Sequence, residues 1–316
     1  PLPAHAQASS RMKRPINSFQ RTAFGLLLGA WSISSFAQEA PELVTNTFAW
    51  SQVINAQTVE VVPRKHSFGF MIQHRFGAIT PDKQSYKQFL GLDLPSNIRF
   101  GFQYAVSGRM HFEIGRSKNG KVIDLAAKAR ILRQTVDNKM PVSVTGFFDA
   151  GVMTDDFPSV GADNYFGDGT TPFVYAFKHR MSYNTQVIVA RRFNDVLSLQ
   201  FAGVAVYRNL VPQGASNLTI AAPISGRIKV STKGAILLEY TPILEGRSTN
   251  SQLNPAQIAY ELATLGHVFQ VIIGTSGEIV EQRLYPSAPD PYDEGHVLLG
   301  FNIARTLFVK PKKPRS

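Results

Sequence analysis

The strongest constraint in the sequence is an alternation of apolar and polar residues with a period of two, carried through most of the chain. In Phe68-Gly69-Phe70-Met71-Ile72-Gln73-His74-Arg75-Phe76, one face takes Phe68, Phe70, Ile72 and Phe76, and the other takes Gly69, Met71, Gln73 and Arg75. Ile98, Phe100, Phe102 and Tyr104 then alternate with Asn97, Arg99, Gly101 and Gln103. Successive side chains of a strand point to opposite faces, so this pattern predicts strands with one apolar and one polar face. It recurs over 110–116, 122–133, 142–154, 181–193 and 197–207. It returns less cleanly over 218–228, 235–243, 256–263, 267–275 and 297–308, making twelve strands. No amphipathic helix of three turns competes with them.

The two faces differ in kind. Arg99, Glu113, Asp124, Lys128, Arg130, Asp149, Glu239 and Glu261 share the polar face. The opposite face is nearly free of charge until the strand ends, where Arg116, Arg191 and Arg305 can snorkel toward headgroups. A soluble periplasmic β-sandwich, the alternative, would scatter charge evenly over its exposed face. Strands of this length match a tilted crossing of the hydrocarbon layer. With no water there, only a closed sheet satisfies its backbone groups. The expectation is therefore an all-β chain, a transmembrane antiparallel up-and-down β-barrel of about twelve strands.

Loop lengths agree. The odd-numbered connections fall at 77–96, 117–121, 155–180, 208–217, 244–255 and 276–296, and all but 117–121 are long. The even-numbered ones, 106–109, 134–141, 194–196, 229–234 and 264–266, are short. A barrel that starts in the periplasm shows this alternation of long outer loops and short inner turns. The exception, Ser-Lys-Asn-Gly-Lys, reads as a tight Asn-Gly hairpin.

Before the strands, Met12 opens a stretch with the form of a secretory signal. Lys13, Arg14 and Arg21 precede a charge-free run from Thr22 to Phe36, and Ser35-Phe36-Ala37 supplies a cleavage site before Gln38. The expected organisation is an upstream extension plus signal over 1–37 and a periplasmic N-terminal segment or plug over 38–66. An outer-membrane barrel over 67–309 and a basic tail over 310–316 complete it. Of 33 basic residues, four lie in 1–37 and four in the tail, so the remaining 25 face 22 acids. The basic excess belongs to the ends, which removes the main support for nucleic-acid binding. The tail, broken by Pro311 and Pro314, reads as a solvated extension, with attraction to anionic lipid or lipopolysaccharide headgroups as the alternative.

Catalytic and metal chemistry find little support. The chain has no cysteine, which excludes disulfides, thiolate metal sites and a cysteine nucleophile. His74 and His267 fall on the apolar face near strand ends, and His111 shares the polar face with Glu113 as a lumen hydrogen-bonding pair. His66, His179 and His296 lie near loop boundaries without a ligand cluster. No Gly-x-Ser-x-Gly elbow or phosphate-binding glycine loop occurs. No outward serine and histidine align as in a barrel phospholipase. Asp155, Asp156, Asp163, Asn164 and Asp168 in one long loop, and Asp290, Asp293 and Glu294 in another, read as solvated loops. Calcium-holding oxygen clusters are the alternative for them. No metal, cofactor or catalytic residue is expected.

Several segments also resemble a known family. Val53-Ile54-Asn55-Ala56-Gln57-Thr58-Val59-Glu60 and Ile72-Gln73-His74-Arg75-Phe76-Gly77 look like the membrane-bound β-barrels of Gram-negative bacteria grouped as domain of unknown function 5777. The likeness continues through Asn97-Ile98-Arg99, Lys128-Ala129-Arg130-Ile131-Leu132-Arg133-Gln134 and Gly266-His267-Val268-Phe269-Gln270. It ends at Gly300-Phe301-Asn302-Ile303-Ala304-Arg305, and so spans about 46–309. One departure is the basic tail beyond Phe308, since many outer-membrane barrels end on an aromatic residue. The resemblance implies fold and location and carries no reaction.

The functional expectation is a non-enzymatic channel for small polar or anionic solutes, with Arg99, Glu113, Lys128, Arg130, Asp149, Glu239 and Glu261 lining its lumen. The alternative is a structural or docking barrel with a filled lumen and long outer loops that bind a partner. Asn55, Gln57, Thr58 and Glu60 either line a periplasmic approach or fold into the lumen, and the sequence leaves both open.

Overall fold

A computed structural model describes residues 41–82, 85–157, 159, 164–247 and 252–308. The expected signal and its upstream extension, Asp163 in the long loop, and the basic tail lie outside the described residues.

Among the described residues fourteen strands follow one another: β1 (Phe68–Ile79), β2 (Asn97–Ser107), β3 (Met110–Ser117), β4 (Val122–Leu132), β5 (Ser143–Met153), β6 (Met181–Arg192) and β7 (Leu197–Arg208), then β8 (Leu218–Ala221), β9 (Ile224–Lys229), β10 (Gly234–Tyr240), β11 (Ile243–Glu245), β12 (Ala256–Ala263), β13 (His267–Gly274) and β14 (Val297–Leu307). From β1 to β7 each strand pairs antiparallel with the next. The last strand returns to the first, with Ile72 opposite Ile303 and His74 opposite Phe301, which closes the sheet. Both β8 and β9 pair with β7, so they are two halves of one crossing. The same holds for β10 and β11, which pair with β9 and β8. The result is a closed antiparallel barrel of twelve crossings.

Two crossings differ from the expectation. The unbroken strands expected over 218–228 and 235–243 are each interrupted, at Pro223 and at Pro242. Proline has no N–H to give to a ladder, so the strand pattern survives around it while the pairing breaks. Elsewhere the turn chemistry acts as anticipated. Gly120, at φ +66°, closes the tight connection between β3 and β4 in a left-handed conformation that glycine adopts without a Cβ clash.

The alternation translates into burial. Outward side chains such as Phe102, Leu125, Val187 and Val271 are exposed on the band that faces hydrocarbon. Inward ones are buried on every strand, for example Gln73, Arg99, Glu113, Asp124, Ile188 and Asn302. Side chains facing a water-filled channel would be wetted, so something occupies the interior. Residues 43–62 supply much of it. Leu43 bridges to Thr135 and the Val44 N–H donates to the Gln134 carbonyl (2.9 Å), fixing the segment near a short turn. Gln52 then pairs with Gln57, and Val53 N–H to Ala56 O and Thr58 N–H to Ser51 O (both 2.8 Å) close a tight hairpin inside the barrel.

The connection between β13 and β14 contributes a second piece. Its single helical turn, Glu281–Leu284, buries Glu281, Gln282 and Leu284, and Tyr285 follows them inward. This corrects the expectation of a solvated 276–296 loop. The acids expected there diverge from that path, with Asp293 and Glu294 exposed and Asp290 partly covered. Phe48, Val53, Ile54 and Val59 of the hairpin pack with Leu284, Tyr285 and the small or aliphatic wall residues Ile188, Val204, Leu237 and Ile272.

Candidate functional site

The barrel interior gathers the charged residues singled out in the sequence, and each has a specific partner. Arg99 on β2 reaches across β3. Its Nη2 lies 2.7 Å from Glu113 Oε1 and 2.5 Å from Asp124 Oδ2 on β4, with all three groups buried. Gln73 and Gln103 extend the cluster, Gln103 donating to Glu113 at 2.6 Å. Two carboxylates around one guanidinium make a buried network that tolerates no missing member. Inward glycines make room for such long side chains. At Gly300, an added Cβ would lie 2.8 Å from Arg75 Cδ.

Three of the remaining expected residues, Lys128, Arg130 and Glu239, face the hairpin. Lys128 Nζ donates to the Ser51 carbonyl at 2.6 Å and lies 5.6 Å from the Phe147 ring centroid. Arg130 stands 3.9 Å from Glu60 of the hairpin, whose other oxygen accepts from Thr47 N–H at 3.0 Å. Glu239 caps the hairpin tip. One of its oxygens accepts the backbone N–H groups of Ile54, Asn55 and Ala56 at 3.2, 3.0 and 2.9 Å. Charge-assisted bonds of this kind are about twice as strong as neutral ones. Asp149 accepts from Gln282 of the inward loop at 2.5 Å. Glu261 stands apart from the hairpin and pairs with Arg227 at 2.8 Å.

Residues outside the expected set do as much. Arg75 donates to Asn55 Oδ1 (2.5 Å) and Asn302 Oδ1 (3.0 Å). It sits in phase with Gln73 on the polar face of β1, and that phase is the signal by which it was findable. His111 accepts from Val62 N–H at 3.1 Å through Nδ1. Gln200 brackets the hairpin, accepting from Val59 N–H and donating to Gln57 O, while Gln270 and Asn302 donate to Val53 O and Ile54 O. Gln57 in turn donates to Glu281 at 3.0 Å, joining hairpin and inward loop. Asn55 and Gln57 were named in the sequence as residues that could enter the lumen, whereas Gln200, Gln270 and Asn302 carry no charge to mark them and were passed over.

The long loop between β5 and β6 is built on aromatic contacts. Phe157 and Tyr175 stack at 4.0 Å, Phe166 and Phe173 meet edge-on at 4.9 Å, and the Arg180 guanidinium sits 3.9 Å above Phe157. Asp168 organises its tip by accepting from the Thr170 and Thr171 N–H groups and the Thr171 hydroxyl. Those bonds hold its carboxyl down at about 2. Among the described residues no group of three His, Cys, Asp or Glu side chains converges as a metal site.

Solved structures with similar architecture include porins. The KdgM porin aligns with TM-score 0.44 and 7% identity, covering 77% of this chain and 99% of its own. A second KdgM structure, in complex with disordered oligogalacturonate, aligns with TM-score 0.44 and 8% identity over the same shares. The NanC porin aligns with TM-score 0.45 and 6% identity, covering 77% of this chain and all of its own. No curated protein matches the chain. The family model of the membrane bound beta barrel domain matches residues 48–307, which include the interior hairpin tip as well as every strand. The chain belongs to that family, DUF5777.

Proposed function

We propose that the chain is a non-enzymatic, porin-like outer-membrane barrel that passes small polar solutes, with residues 43–62 as its internal gate. One observation carries this reading: the wall spends its polar groups on the backbone of a hairpin that is no part of the barrel ladder. Glu239, Lys128, Gln200, Gln270 and Asn302 all bond to hairpin main-chain atoms. Withdrawing the hairpin leaves the β1–β14 closure intact, and water can take over its bonds to the wall. A wall evolved only to be filled would be apolar, because apolar packing stabilises a core at less risk than buried charge. In this reading Arg99, Glu113, Lys128, Arg130, Asp149, Glu239 and Glu261 line the passage. Residues 1–37 are removed on export.

Conductance of the purified barrel in planar bilayers tests it, wild type against Glu239→Gln. An amide accepts less well than a carboxylate from three N–H groups, so the closed state weakens by about 2 kcal/mol. That raises the open fraction roughly 30-fold, seen as longer and more frequent steps. Silence from both proteins, with heat-modifiable migration confirming folded barrels, overturns the channel reading. The second reading, a docking barrel whose outer loops hold a partner, has support from the aromatic order of the 154–180 loop. It predicts that silence, together with partner capture lost on deletion of the loop.

A further inference from the structure

The wall of the barrel carries a row of three prolines on neighbouring crossings. Ala202 N–H donates to Pro223 O, Ala222 N–H to Pro242 O and Thr241 N–H to Pro255 O, each at 2.9 Å. In an antiparallel pair of this type the partner returns the bond, and proline cannot. At this row, three successive residue pairs from β7 across to β12 are thus each joined by one hydrogen bond where two are normal. The residues that break β8 from β9 and β10 from β11 belong to this row. Fewer ladder bonds let the wall bend there.

On the outer face beside that row lies a groove of about 620 Å³. Leu199, Ile224, Leu238, Ile258 and Ile273 wall it, and the small residues Gly226 and Ala256 leave its floor open. Ile224 and Ala256 directly follow Pro223 and Pro255 in the chain. Tyr240 and Tyr292 mark its end toward the long loops, where Tyr240 Oη accepts from Asn254 Nδ2 at 2.9 Å. The groove is continuous with the hydrocarbon-facing band, since Leu199, Ile224, Leu238, Ile258 and Ile273 are all exposed apolar residues of it.

We propose that this groove is a binding site for one acyl chain of a membrane lipid, seated in the leaflet on the long-loop side. A concave apolar surface in a bilayer cannot be filled by water, and leaving it empty forfeits dispersion contacts on every wall. A hydrocarbon chain lying in it touches protein on three sides, against one side on the flat wall elsewhere. The volume falls in the range of ligand sites. The site is independent of whether the interior conducts.

The test is photolabelling of the full-length mature barrel in vesicles of phosphatidylethanolamine and phosphatidylglycerol bearing a diazirine on an acyl chain, with mass-spectrometric mapping of the labels. The expected result is about tenfold enrichment on peptides carrying 224–228 and 256–258 over outward positions such as Val187 and Val271. Gly226→Leu fills the groove, and its Cβ would meet only Leu199 Cδ2, at an ordinary 3.4 Å. That variant should lose the enrichment. Gly203→Leu adds the same bulk on β7, where nothing lies within 4 Å, and should retain it. Should Gly226→Leu fail to fold, Ala256→Leu fills the groove from its other side. Uniform labelling of the wild type, or enrichment that survives the filling substitution in a folded barrel, overturns the proposal.

Discussion

Gly115 owes its identity to a neighbour's side chain. An added Cβ would lie 2.2 Å from Arg99 Nη2 and 2.3 Å from Asp124 Oδ2, inside the space through which Arg99 crosses β3. Gly115→Val must therefore push the guanidinium off one carboxylate or both, leaving buried charge unpaired. Losing one member of such a set costs roughly 3–5 kcal/mol. Unfolding of the purified barrel in denaturant and micelles should show a loss of that size. Gly203→Val, with open space around it, should change little. The sequence placed Arg99, Glu113 and Asp124 on one face by phase alone. It did not pair them, because register between strands decides which charges meet, and alternation carries no register across long loops.

At the scale of elements, the strands were legible because two independent signals coincided, a polar face facing inward and loop lengths that alternate. The interrupted crossings were less so. Leu218–Ala221 and Ile224–Lys229 each keep their phase, and only the pairing reveals that Pro223 divides them. The long loop between β5 and β6 was read as acidic and solvated, which describes Asp155, Asp156 and Asp168 but missed the aromatic contacts that order it. Its tip depends on an ionised Asp168. The carboxyl is depressed from 3.8 to about 2, so its contribution is fully present above 3.8 and is lost as pH falls through about 2. Amide exchange over 164–173 should accelerate between those pH values while the strands stay protected. Asp168→Asn should show the faster exchange already at neutral pH.

For the molecule as a whole, the least legible feature is what occupies the barrel. A polar inner face suits water and a peptide equally well, and the contacts that choose between them join residues far apart in sequence. Asn55 and Glu239 are 184 positions apart. The same contacts bear on selectivity. Away from the strand ends, Arg75, Arg99, Lys128, Arg130 and Arg227 face Glu113, Asp124, Asp149, Glu239 and Glu261, so the middle of the strand wall carries as many bases as acids, while Arg192, Arg208 and Lys229 stand in the same phase at strand ends. Withdrawal of the hairpin then leaves a middle stretch of wall without net charge, which favours polar solutes. Under a salt gradient, open steps of the wild type should reverse close to zero potential. Lys128→Gln with Arg130→Gln tips the wall toward acid without touching the Arg99 cluster, and should shift reversal to the cation-selective side. The substitutions also remove two holds on the hairpin, the bond to Ser51 O and the pairing with Glu60, so the open fraction should rise along with the shift. Reversal on the anion side in the wild type would mean that the wall charges do not govern the passage.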